Sequence, residues 1–577
     1  MTFGGRAQVR LLSVIWIFVA ILAVPGPCIF FAARGHAIFN LQAAGQLRSG
    51  KPAAEFQPFC GRTALRAPKG GIALKNSETF KGAKLPSDTL EANIRYFRDI
   101  FTDDDTLVTR NLNSPNRPEQ RFCLIYADGM VNNLIVDQDI IRPLLRFRFP
   151  EEDSQVPLIE RLALEGTFSN SVEKTSGMEQ LVQAVVYGDT VLLVDGCAEA
   201  LILNTKGWST RSISEPESER VLRGPREGFT ESILMNLSMV RRKIRTPDLK
   251  MRFRVFGRRT QTKACLCYLD SLVNKSVLQE LEKRLDLIDI DGTIDTNYIG
   301  EIVKDAPYSA VKTVGSTERP DIVAAKLLEG RVALFLDGTP VVLTVPYLFI
   351  EHMQSDEDYY INYVFASIGR FLRILAVIVS LILPATYVSL VTFHQEMLPT
   401  PLLISIASSR QGVPFPTALE TILMLIAFEM LRESGTRMPG LMGQTLSIVG
   451  ALVIGQAAVD AKVVSAPIII IVAFAGICGL MVPRLKGYLI VHRFLLLLFS
   501  CVLGLYGLML GLTCMLARLY NIESFGVPIM NDTYTHSLQD LKDLYVRAPW
   551  GTMKKRPRFL SPNVYRQAES QTGDKSK

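Results

Sequence analysis

TVLLVDGCAEALIL (Thr190–Leu203) and VALFLDGTPVVLTV (Val332–Val345) share one design: an apolar run, Asp-Gly, and a second apolar run. Asp-Gly between apolar runs predicts a tight hairpin, because glycine takes the positive φ that the turn requires. FCLIYADGMVNNLIV, from Phe122, has the same form and predicts a third hairpin. The later two follow segments of helical character, MEQLVQAVVYG and DIVAAKLLEG, and Ser176 with Glu179 predicts a capping box at the first of these. The soluble region is therefore expected to be α+β, built as two helix-plus-hairpin subdomains, with the first hairpin joining one of them. SDTLEANIRYFRDIF opens it as a helix, with Leu90, Ile94, Phe97 and Phe101 at helical spacing and Asp88 with Glu91 as a capping box. The three aspartates sit where turn chemistry places them, which accounts for them better than catalysis or metal binding.

The apolar residues are unevenly distributed along the 577-residue chain. From about Ser87 to Asp358 the sequence is mixed and charged; from Phe371 to Leu516 long apolar runs dominate, which predicts an α-helical polytopic membrane domain. Ile374–Val391 is an uncharged span flanked by Arg370 and Arg373, so the soluble region is expected on the cytoplasmic side. Ala466–Val482, Phe494–Leu516 and the shorter Thr417–Leu431 follow, with a small-residue segment from Ser447 as a fifth. The basic tail MKKRPRFL favours a cytoplasmic C-terminus, whereas five full spans place it outside; the sequence leaves that open. Five divisions result: 1–86, with an apolar segment 11–33 that fits an anchor or an extension and a linker after it; soluble subdomains 87–225 and 226–358; a membrane domain 371–516 of four to five segments; and a basic tail 517–577.

The composition excludes several functions. Nine scattered cysteines form no framework, and Cys265 and Cys267 lack the companions of a zinc site. No phosphate loop, HExxH or serine-nucleophile elbow is present, so no enzymatic activity, metal or cofactor is expected. The tract RRKIRTPDLKMRFRVFGRR, with Arg241, Arg242, Arg252 and Arg254, alternates basic and apolar residues. It fits a solvated sheet face, an anionic lipid surface or an acidic neighbouring subunit; nucleic acid is disfavoured, since no stacking aromatics accompany the exposed arginines.

In the membrane region the carboxylates are the functional candidates, because acids there face a bundle interior or an aqueous cavity. Glu396 lies in a proline-broken connection, and Glu420 and Glu429 lie nine residues apart, out of phase on a helix. Glu429 also fits an interfacial pair with Arg432. Gly443, Ser447, Ala451 and Gly455 form a small-residue stripe suited to helix packing, and Gln456 marks that segment as a re-entrant or pore-lining alternative. In the segment joining soluble and membrane regions, Glu351 to Arg373, no residue announces a coupling role.

TFHQEMLPTPLLISIASSRQGVPFPTALE, GQTLSIVGALVIGQAAVDAKVVSAP, LEGRVALFLDGTP and RGPREGFTESILMNLSMVRRKIRTPDLK resemble the A-subunit family of GerA-type spore germination receptors, over about Leu90 to Pro562. The resemblance implies a multi-pass protein of the inner spore membrane, acting with a transporter-like B subunit and a lipoprotein C subunit. It also implies self-association into a ligand-gated ion channel that triggers germination. Glu396 and Glu420 would then present negative charge to a cation path. A stage V AF-like accessory protein of dipicolinate release shares the membrane phrases. A secondary transporter is disfavoured by the small number of spans.

Overall fold

The structure is a computed structural model that describes residues 84–85, 89–149, 157–207, 216, 219, 221, 223–437, 450, 455–530, 543–553, 555–556, 560–561 and 566. The apolar segment 11–33, the Asp88 cap and three residues of the small-residue stripe, Gly443, Ser447 and Ala451, lie outside the described residues.

The region expected to be soluble contains two five-stranded antiparallel sheets with one topology. The first set of elements is α1 (Leu90–Ile100), β1 (Leu107–Asn113), β2 (Arg121–Ala127), α2 (Leu158–Glu165), β3 (Val172–Thr175), α3 (Met178–Tyr187), β4 (Thr190–Val194) and β5 (Ala200–Leu203). The second is α4 (Ile233–Lys243), β6 (Leu249–Phe256), β7 (Thr262–Leu269), α5 (Lys275–Asp286), α6 (Thr296–Val303), β8 (Gly315–Thr317), α7 (Pro320–Leu328), β9 (Val332–Leu336) and β10 (Val342–Val345). The strand orders, β1-β2-β4-β5-β3 and β6-β7-β9-β10-β8, correspond strand for strand.

The Asp-Gly turns of β4–β5 and β9–β10 have a second use. Gly196 and Gly338 take φ of 79° and 87° in open space, so backbone conformation, not room, demands glycine there. The preceding aspartates cap the opening helix of their own half: Asp195 Oδ1 accepts from Leu90 N at 3.1 Å, and Asp337 Oδ1 from Ile233 N at 3.0 Å. Each turn thus pins a helix to its sheet. The helix from Met178 starts on Gly177 without a side-chain cap, so the expected Ser176–Glu179 box does not form.

The first expected hairpin is a strand followed by a helical run. β2 ends at Ala127; Asn132 caps the next segment through Leu134 N, and Val136, Ile140, Ile141 and Leu144 are buried at helical spacing. β2 pairs instead with β4 and with the polar strand β1. The two halves are joined through Asp103-Asp104-Asp105. Asp105 N donates to Met251 O on β6 (2.9 Å), and Asp105 Oδ2 accepts from Phe253 N (2.7 Å). That tract covers the edge strand β6.

The helical region comprises α8 (Tyr363–Thr392), α9 (Thr400–Ser409), α10 (Thr417–Arg437), α11 (Ala466–Leu480) and α12 (Lys486–Tyr520). Among the described residues, α8 and the segment Pro483–Tyr520 are long and apolar enough to cross a membrane; α9 and α11 are shorter apolar helices. The Phe494–Leu516 segment expected to be one span is folded back on itself. Gly504 sits at φ 61°, ψ −140°, open essentially to glycine alone. A Cβ on Gly511 would lie 3.0 Å from Leu496, and one on Gly507 would strike the Phe499 carbonyl. In a straight helix residues 496 and 511 stand about 22 Å apart, so α12 is a hairpin with arms of about 27 and 24 Å. Its first arm runs parallel to α8: Arg493 Nε donates to Ser380 O (2.9 Å), and Ser500 Oγ donates to Ala385 O (2.6 Å).

Both ends of this hairpin lie beside the second sheet. Arg484 pairs with Asp356 at 2.7 Å, before the first arm. After the second arm, Ser524 Oγ donates to Thr313 O (2.7 Å) and Phe525 N to Asp305 (2.8 Å). β11 (Glu523–Ser524) and β12 (Val527–Pro528) close this return, and Phe525, Val527 and Leu560 enter the core of the second sheet. The described part of the C-terminal segment thus returns to the second sheet.

Candidate functional site

Buried charge lies in two layers, one at the foot of α8 and one within the bundle. At the foot, Asp358 is buried and accepts from Arg370 Nε (2.9 Å) and Arg373 Nη2 (2.6 Å), one turn apart on α8. Arg370 also donates to Asp543 Oδ1 (3.1 Å), and Tyr359 Oη donates to Oδ2 of the same residue (3.0 Å). Sheet linker, α8 and C-terminal return are thus tied by one network of hydrogen bonds and ion pairs. Charge-assisted bonds in such a buried setting are strong and geometrically exacting.

Nearby, Glu351 accepts from Leu348 N (2.7 Å) and from Arg331, with Lys326 at 3.5 Å. Burial pushes the Glu351 carboxyl up, but the Arg331 and Lys326 charges outweigh it and hold it below the usual range. His352 is buried between Tyr347 and Phe349, and desolvation holds its imidazole down to about 4. It is neutral at physiological pH.

Within the bundle, Arg493 is 1% exposed and joins three helices. It donates to the Ser380 carbonyl and hydroxyl on α8, to Ala475 O on α11 (3.4 Å), and to Glu429 on α10 (3.3 Å). Glu429 also pairs with Arg432, as expected from their spacing. The helix that carries Arg493 starts at Lys486, which takes its side chain about two turns into the bundle.

Glu420 is fully buried at the opposite end. One carboxylate oxygen accepts from Ser465 N, where α11 begins, while Oε2 has no hydrogen-bond partner among the described residues. Glu420 therefore caps a neighbouring helix. Glu396 is exposed in the turn after α8, and Gln456 is exposed. Gly455 has no neighbour within 4 Å of an added Cβ, so this stripe member makes no close helix packing in the single chain.

The basic tract is matched within the chain. Arg241, 2% exposed, pairs with Asp104 across the two halves at 2.7 Å. Arg242 meets Glu227 (2.8 Å), Arg252 meets Glu282 (2.5 Å), and Arg254 pairs with Asp286. A helix that supplies Glu282 and Asp286 lies along the basic face, a pairing that alternation within one strand does not reveal. No group of His, Cys, Asp and Glu suited to a metal ion occurs among the described residues.

Residues 95–559 match the family described as Bacillus/Clostridium GerA spore germination protein. The chain is 40% identical to an uncharacterized membrane protein of Bacillus subtilis, YfkQ, over 78% of its own length and 87% of that protein. It is 39% identical to spore germination protein KA of the same organism, over 83% and 88% of the two chains. Among solved structures, the N-terminal domain of the A subunit of the Bacillus megaterium germinant receptor GerK3 matches at 29% identity and TM-score 0.36, covering 46% of this chain and 98% of that one.

Proposed function

The chain belongs to the GerA spore germination protein family, and from that premise we propose that it is the A subunit of a nutrient germinant receptor. In this reading it assembles with further copies, a transporter-like B subunit and a lipoprotein C subunit in the inner spore membrane. The helices surround an ion path that opens when nutrient binds the complex. The soluble halves stand on the cytoplasmic side and reach the helices through Asp358, Arg370 and Arg373.

The observation that carries the reading is where the bundle keeps its charge. Arg493, Glu429 and Glu420 are held against neighbouring helices, the arrangement of intramembrane ionisable groups that serve ion pathways. Glu396, exposed where α8 ends, is the acid placed to face an ion, while Glu420 and Glu429 set the helices around it. Gln456 lines the path from its exposed position, and Gly443, Ser447, Ala451 and Gly455 form the stripe on which copies meet.

Spores lacking this gene test the proposal. Potassium release is followed after a panel of amino acids, sugars and nucleosides. Loss of the response to one nutrient class, restored by the intact gene, is the expected result. Undiminished nutrient-triggered release, with slower dipicolinate release, would instead favour the stage V AF-like accessory role.

A further inference from the structure

The loop after α6 stands where the last long apolar helix ends. Asp305 accepts from Phe525 N (2.8 Å) and Thr313 O from Ser524 Oγ (2.7 Å), both just past α12. Between these anchors, Ala306 and Val311 join the apolar cluster that holds Leu519 and Ile522. We infer that the tip of this loop lies in the headgroup layer of a phospholipid bilayer, with Tyr308 as its anchor. The inference rests on the reading that α8 and α12 cross a membrane, and it is independent of ion conduction.

Local geometry holds Tyr308 outward. Ser309 N donates to Ala306 O (3.0 Å), so Ala306–Ser309 forms a β-turn with Pro307 at its second position, where a fixed φ suits the turn. Tyr308 follows at the tip and is 80% exposed. On the last turn of α6, Ile302 is 50% exposed, although Ile299 and Val303 beside it are buried.

The direction of α6 decides which of its ends meets the bilayer. At its start, Asp295 accepts from Thr339 in the β9–β10 turn (3.2 Å). Near its end, Val303 O accepts from Arg284 (2.7 Å), whose guanidinium lies over the Phe525 ring. The helix thus runs from the β9–β10 turn towards the return from α12, and it carries Ile302 and Tyr308 to that side.

Depth and chemistry select lipid as the partner. The second arm of α12 exposes Tyr506, Met509, Leu510 and Leu516, and then Arg518 and Tyr520. Its outer face therefore changes from apolar to basic and aromatic within its last turn. Leu516 to Tyr520 is about 6 Å of helix, and each headgroup layer is about 5–8 Å thick. The loop bonded just beyond Tyr520 stands at that depth. Tyrosine suits such a layer, with its ring against acyl chains and its hydroxyl in water. Lys312 and Arg518, both exposed, suit the lipid phosphates.

The test is photo-crosslinking of the full chain in phosphatidylglycerol vesicles, read by intact mass. Tyr308→p-benzoylphenylalanine and the same change at Ile302 should each gain the mass of one phospholipid. Ile294, 72% exposed at the other end of α6, should give no lipid product when changed in the same way. Met509, exposed on the second arm of α12, reports membrane insertion separately. Lys312→Gln should lower the lipid yield at position 308 about five-fold, as loss of one basic contact with an anionic surface implies. Melting verifies that each variant is folded. Lipid products at 509 without any at 308 and 302 would overturn the inference and leave the membrane reading standing. No lipid product at 509 would overturn both. A chain–chain product at 308 would assign this face to a second copy instead, and equal lipid yields at 294 and 308 would remove the anchor.

Discussion

Replacing Arg241 with methionine tests how the two soluble halves are joined. Arg241 and Asp104 are 2% and 1% exposed at their side chains and meet at 2.7 Å. Arg241 also donates to Thr106 Oγ1 (2.9 Å), while Asp104 Oδ1 accepts from the Thr106 hydroxyl (2.7 Å). Methionine removes the cation and leaves the carboxylate buried without its partner. Breaking a buried pair on one side costs about 3–5 kcal/mol, mostly from the stranded charge. At roughly 2–4 °C per kcal/mol for a region of this size, melting should fall by about 6–20 °C. Hydrogen exchange of the full chain should quicken first in β1 and β6, which the Asp104 tract links. Adding Asp104→Asn removes the stranded charge and should recover most of the loss. A single variant as stable as wild type would refute the reasoning; so would a double variant no better than the single.

Gly504→Ala places a Cβ 2.9 Å from Phe393 in a backbone region closed to alanine. The α12 hairpin should open, and a cysteine introduced at Tyr545 should lose its labelling from the side that labels the soluble halves; unchanged labelling would show that the turn tolerates a side chain. His352 is held down to about 4 when folded, against 6.5 in the unfolded chain, so the unfolded chain binds the extra proton between those values. Its contribution is complete above pH 6.5 and is lost as pH falls towards 4, roughly 3 kcal/mol in all. Melting temperature should therefore fall more steeply over that window in wild type than in His352→Gln, and parallel curves would count against it. Glu420→Gln keeps an acceptor for Ser465 N and removes only charge. Potassium release at unchanged protein level should stay normal, since Glu420 acts as the cap of α11, and weakened release would place its carboxylate in the ion path.

The sheets were largely legible because Asp195-Gly196 and Asp337-Gly338 are local signals, set by turn conformation and by apolar strands on either side. Asp128-Gly129 misled for a physical reason. The residues after it are apolar enough for a strand, and the deciding feature is the Asn132 cap with Val136, Ile140 and Leu144 at helical spacing. The polar edge strand β1 gave no apolar signal and takes its form from pairing with β2. Burial of Arg241 was not readable, since its partner Asp104 is 137 residues away in sequence. The same holds for Arg493, whose carboxylate lies on α10 and whose carbonyls lie on α8 and α11. The reversal at Gly504 was hidden because its neighbours form an unbroken apolar run, and one glycine within such a run marks no boundary by hydropathy. The Glu429–Arg432 pair, three residues apart on one helix, was visible in advance.

Whether the proposed receptor conducts ions is read from current across a planar bilayer holding the full chain with its proposed B and C partners, recorded before and after addition of the nutrient panel. Discrete potassium-conducting openings should follow nutrient and shrink when Glu396 is changed to glutamine. Silent bilayers, with all three partners present and correctly inserted, would contradict the proposal.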